Sequence, residues 1–186
     1  MADIDFEDLT KYTKQFTGLT VEMETVLTEL FGQIKPHLPG ITDSFYSVLL
    51  QIPKAKPFLD GRVDTLKQTH IRWLETVFSG PFDASYTQAM YHVGDVHVKA
   101  NLPVEFMAGA MTLVATRIND LLGEILASDP SRLRKAITAV NAALGFTLMV
   151  MQQSYESSRL AEELEKFLKI TGMSRTLFDN LASAYR

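Results

Sequence analysis

Apolar residues recur at spacings of three and four along nearly the whole chain, and no stretch alternates with the two-residue period of a strand. The pattern predicts a first short helix over Asp5 to Phe16. Thr20 then suits an N-cap, followed by Val21, Val26, Leu27, Leu30 and Ile34 on one face. Pro36, Pro39 and Gly40 are expected to end that helix. The next carries Ile41, Phe45, Leu49 and Leu50 and stops near Pro53 and Pro57. Asp60-Gly61 is a turn signal, and a helix from Val63 to Phe78 closes at Ser79-Gly80-Pro81.

The second half is punctuated as clearly. Asp83 can cap a helix from Ala84 to Ala100, past whose end Asn101 suits the left-handed region. Pro103 opens another, striped by Val104, Met107, Met111, Val114, Ile118 and Leu121. Asp129-Pro130 is a cap and first-turn pair. It opens a long helix through residue 169 or so, with Leu133, Ile137, Val140, Leu144 and Leu148 on its stripe. The run Glu162-Glu163-Leu164-Glu165-Lys166 reads as a solvated face of its charged end. Thr171-Gly172 breaks it, and Met173 to Arg186 reads as one more short helix or a linker. About eight helices and no strands leave two all-α architectures, a bundle or a globin-like fold.

Composition narrows the function classes. The 186 residues suit one domain able to bury a full core and a cofactor besides. Eighteen basic against 22 acidic residues give a net charge of −4, with no basic block to favour nucleic acid. The absence of cysteine excludes disulfides, thiolate ligation, covalent c-type haem attachment and iron–sulfur clusters within the chain. The start Met1-Ala2-Asp3-Ile4-Asp5 is acidic, unlike a signal peptide. The nearly apolar run Ala142 to Met151 is short of the roughly 20 residues of a membrane span. The expectation is a cytoplasmic protein that needs no membrane.

The candidate chemistry lies on two helix faces. His97 shares one with Val93, Val96 and Ala100, just before the break at Asn101; Leu66, Thr69, His70 and Trp73 share another. A neutral imidazole is a good iron ligand. Taken singly, each residue has a plainer role. A histidine on an apolar stripe also serves as a core residue, Tyr46 as a core tyrosine bonded to a carbonyl, and Thr69 as an ordinary helix threonine. Trp73 and the methionines Met107, Met111, Met149 and Met151 serve equally as packing. There is no nucleotide-binding glycine loop, recognisable pair of catalytic carboxylates or zinc-type histidine cluster.

Read together, the segments resemble the sensor globins, the haem domains of globin-coupled sensors and the related protoglobins. The resemblance runs through Phe45-Tyr46, the stretch from Val63 to His70, the stretch from Phe78 to Tyr86, and the His97 segment into Leu102-Pro103-Val104-Glu105-Phe106. It implies a globin fold with an extra N-terminal helix and a non-covalent b-type haem. It makes His97 the proximal iron ligand and Tyr46 the distal tyrosine that donates a hydrogen bond to the gas. Thr69 becomes a second, weaker distal donor and Leu66 a bulky apolar guard against water and oxidation, with Phe45 and Trp73 packing on the haem.

Three departures stand out. Asn101 replaces a frequent glycine, Phe106-Met107 replaces a Trp-Tyr pair, and His70 follows Thr69 where an apolar residue is more usual. An outward or packing role is the simpler one for His70; swung inward, it would reach the sixth iron position.

By the same resemblance, residues 1–170 form a sensor domain that binds O₂, or CO or NO, and residues 171–186 start a linker toward an output domain. A diguanylate cyclase is the first expectation for that output, then a histidine kinase or chemotaxis transducer. The last two long helices would pair across a homodimer as a four-helix bundle. The chain itself is not expected to be an enzyme. Two alternatives remain open: a nitric oxide dioxygenase-like scavenger, which would need an electron source, and a cofactor-free helical interaction module. The latter predicts a colourless protein indifferent to His97→Ala.

Overall fold

The computed structural model describes residues 4–184, and these contain helices and connecting turns without any strand. The helices are α1 (Phe6–Thr17), α2 (Val21–Ile34), α3 (Leu38–Leu49), α4 (Lys56–Leu59), α5 (Val63–Ser79), α6 (Ala84–Lys99), α7 (Val104–Ile125), α8 (Pro130–Thr171) and α9 (Arg175–Ala184). Several begin where a side chain satisfies orphan amides of the first turn. Asp5 accepts from Glu7 and Asp8, Thr20 from Met23, Asp83 from Tyr86 and Asp129 from Arg132.

Two connections differ from the expected pattern. Pro36, Pro39 and Gly40 do not open a loop after α2. A 3-10 turn over Lys35–His37 leads straight into α3, which takes Pro39 into its first turn. Proline is tolerated there because its missing N–H would have no helical acceptor anyway. Pro57 likewise sits in the first turn of α4, a single helical turn that no apolar stripe announces.

The core lies where α8 crosses α2, α6 and α7. Phe82, Tyr86 and Phe146 cluster there, with Phe82 and Phe146 edge to face at 5.6 Å, and the buried Tyr86 hydroxyl meets Thr147 at 2.9 Å. Helix α1 docks on α6 through Phe6 against Tyr91 and through a buried Thr10–Thr87 hydroxyl pair at 2.6 Å. Helix α8 is 42 residues long. Its most apolar 18-residue window has a mean hydropathy of 1.2, long and apolar enough on composition to cross a bilayer, but half of that window is buried in this core.

Helix α6 ends in a Schellman-type closure. Asn101 adopts φ 54, as its type suggests, so the Leu102 N–H turns back to the His97 carbonyl at 3.0 Å and the Asn101 N–H to Val98 at 2.8 Å. Asn101→Ala keeps the β-carbon in the left-handed region and removes the short polar side chain that makes asparagine tolerant of it. A loss of about 1 kcal/mol is expected, read as a lower midpoint in denaturant unfolding with unchanged slope.

Candidate functional site

Helices α3, α5, α6 and α7 leave between them a cavity of about 330 Å³, closed at one point by Met151 of α8. That volume falls within the range of sites for small organic ligands. All six residues singled out in the sequence, Phe45, Tyr46, Leu66, Thr69, Trp73 and His97, are on its wall, together with His70. Two elements bring the key polar groups there: α3 carries Tyr46, and the last turn of α6 carries His97.

The face of α6 around His97 is not packed against protein as the stripe suggested. Val93, Val96, His97 and Ala100 turn to the cavity, which leaves Val96 50% exposed. His97 itself is half-buried, and its Nδ1 is buried without a hydrogen-bond partner. Burial pulls the His97 imidazole below its ordinary value, so it is neutral with a lone pair free at neutral pH. Burial pushes the Tyr46 hydroxyl up to about 12, which keeps it a proton donor.

The neighbouring groups are more committed. His70 lies flat on Phe45, with ring centroids 4.7 Å apart and 4° between planes, while its Nδ1 meets Thr42 Oγ1 at 2.9 Å. Its Nε2 and the Trp73 Nε1 are buried without partners. Burial lowers His70 to about 4. Thr69 sits on the wall, but its hydroxyl donates back to the Leu66 carbonyl at 2.9 Å and so is turned to its own helix. Leu66 is half-buried beside it.

Several wall residues were not singled out in the sequence. Phe58 and Arg62 come from the one-turn helix α4 and the turn after it, and Phe106 packs edge-on to Phe58 at 6.0 Å. Arg62 is the one Lys or Arg on the wall. Only the aromatic Phe58, between Pro57 and the Asp60-Gly61 turn, hinted at this edge.

Among the described residues, no group of three or more His, Cys, Asp or Glu could hold a bare metal ion. An imidazole on a largely apolar wall, whether that of His97 or of His70, suits instead a metal whose other donors arrive with an organic macrocycle. A family model for protoglobin matches residues 6–161.

The chain belongs to the protoglobin family.

Solved structures agree with that membership. The globin domain of a Geobacter sulfurreducens globin-coupled sensor superposes with a TM-score of 0.73 at 29% identity, covering 78% of this chain and 96% of that one. The globin domain of Escherichia coli DosC, in ferric and ferrous forms, matches with a TM-score of 0.64 over 77% of this chain and 99% of that one. At 19% identity those two show the shared fold alone. The all-helical architecture is therefore a globin fold, not a plain bundle. Protoglobin membership implies a haem cofactor. The donor set fits one: neutral imidazoles with an unpartnered nitrogen on His97 and His70, a largely apolar wall, and the Arg62 guanidinium, which beyond its bond to the Phe58 carbonyl keeps donors for a haem carboxylate.

Proposed function

We propose that this protoglobin is a haem-based gas sensor domain that binds O₂ reversibly, with His97 as the iron ligand and Tyr46 as the distal hydrogen-bond donor. The observation that carries it is the meeting of these two side chains on the wall of one largely apolar cavity. The bound b-type haem supplies an iron that takes up a diatomic gas without net reaction. His97 anchors it through a ring nitrogen from the last turn of α6. The Tyr46 hydroxyl, protonated at any working pH, donates to a gas that gains negative charge on binding. Leu66, Phe45 and Trp73 exclude water, and Arg62 holds a haem carboxylate at the edge. Thr69 serves as a second donor only after its hydroxyl leaves the Leu66 carbonyl.

The similarity to a globin domain of a globin-coupled sensor supports a signalling role, with α7 and α8 as the elements that pair with a second copy and pass the signal on. The output would be a domain such as a diguanylate cyclase, placed after α9.

The absorption spectrum of the purified ferrous protein, with and without O₂, tests the proposal. A Soret band that shifts reversibly with gas is expected. Tyr46→Phe is expected to speed O₂ release by about tenfold or more, in keeping with the loss of a hydrogen bond to a charged acceptor. A colourless protein that takes up no added haem overturns the proposal.

A further inference from the structure

Helix α6 lies against α8 at Gly94, one turn before His97. A β-carbon at Gly94 would fall 2.5 Å from the Met151 carbonyl oxygen and onto Ser154 Oγ, so the two helices meet there at backbone distance. Ser154 is fully buried, and its hydroxyl donates to the same Met151 carbonyl at 2.7 Å. A backbone carbonyl cannot rotate aside as a side chain can, so this crossing fixes the height of α6 on α8.

A second hold lies just past His97. The Leu102 N–H donates to the His97 carbonyl at 3.0 Å, and the Leu102 carbonyl accepts from the Tyr155 hydroxyl at 3.0 Å. Leu102 is thus tied to His97 on one side and to α8 on the other. Burial pushes the Tyr155 hydroxyl up to about 12, so it remains a donor throughout the physiological range. Tyr155 directly follows Ser154, and both holds come from the short stretch of α8 between Met151 and Tyr155.

We propose that this stretch of α8 positions the proximal imidazole, gripping α6 before His97 at Gly94 and after it at Leu102, and that Tyr155 is a positioning residue coupling the seating of His97 to α8. A displacement of His97 would pull its carbonyl, the Leu102 amide and then the Tyr155 hydroxyl in turn. The coupling is reciprocal, so a shift of α8 alters gas affinity by the same route. The inference rests on His97 being the haem ligand.

The test compares Tyr155→Phe, Gly94→Ala and Tyr86→Phe in the haem-loaded full chain. Tyr86→Phe is the control, since it removes another α6–α8 hydroxyl bond, to Thr147, far from His97 in sequence. The primary readout is the iron–histidine stretching band of the ferrous, gas-free protein. Tyr155→Phe is expected to shift that band and change gas release by about two- to thirtyfold, with helicity and haem content like the parent's. Gly94→Ala is expected to shift the band as well; where it does not fold, Tyr155→Phe decides alone. Tyr86→Phe is expected to lower thermal stability and leave the band in place. An unmoved band in Tyr155→Phe, or an equal shift in Tyr86→Phe, overturns the proposal and leaves the ligand assignment standing. A parent with no iron–histidine band overturns both together.

Discussion

His97→Ala is expected to give a folded, helical protein that no longer retains haem. The imidazole is half-buried and makes no hydrogen bond through its buried Nδ1, so its removal costs the fold little. Its loss takes away the proximal nitrogen. Removing only the outer partner of a metal ligand already weakens affinity 10- to 100-fold, so deleting the ligand should exceed about a hundredfold. His70 has a free Nε2 on the same wall, but its stack on Phe45 and its Nδ1 bond to Thr42 hold the ring on α5 and not in the place that His97 vacates. The transfer of haem to an excess of a competing apo-globin, timed for parent and variant, checks this. Added imidazole should restore retention in His97→Gly. Equal retention in parent and alanine variant would remove His97 from the site.

Acid should destabilise the haem-free protein well before its carboxylates titrate. His70 is buried neutral, with its value lowered to about 4, while in the unfolded chain it returns to the ordinary value near 6.5. Between those two values the unfolded state binds the extra proton, so stability falls as pH drops through that window. The full loss for His70 alone is on the order of 3 kcal/mol, complete only below pH 4 or so. His97, also lowered by burial, acts in the same direction. Urea unfolding at a series of pH values should show the slope, and His70→Leu should flatten it. If the two proteins lose stability in parallel between pH 6.5 and 4, His70 is not its source.

Much of the fold could be read from local chemistry. Thr20, Asp83 and Asp129 cap the helices they were expected to cap, Asp5 caps the helix it was expected to begin, and Asn101 and Gly172 take the left-handed conformations that end α6 and α8. Caps are legible because the group that satisfies the backbone lies within a few residues of it. The junction of α2 and α3 was not, since proline forbids the middle of a helix but suits its first turn, and composition alone does not say which turn it occupies. The order of Phe45-Tyr46, Leu66-Thr69 and His97 also pointed to one site, and the structure gathers these residues around one cavity. The state of each side chain could not be foreseen. That Thr69 bonds its own helix, that His70 lies on Phe45, and that Tyr155 reaches Leu102 across 53 residues all depend on packing between distant helices. Gly94 is the clearest case: in the sequence it is merely a poor helix former, and only the crossing with α8 shows why no side chain fits.

The length of α8 has a mechanical consequence. Forty-two residues make a rod of about 63 Å, and Met151, at the crossing with Gly94, stands near its middle. From that fulcrum the arm to Thr171 is about 30 Å long, so a tilt of about 5° would swing its tip about 2.6 Å, around half the pitch of a helical turn. An ångström-scale adjustment beside the haem would thus reach the far end magnified. The tip of α8 would move farther than the shifts of about 1–2 Å by which packed helices readjust at switching interfaces.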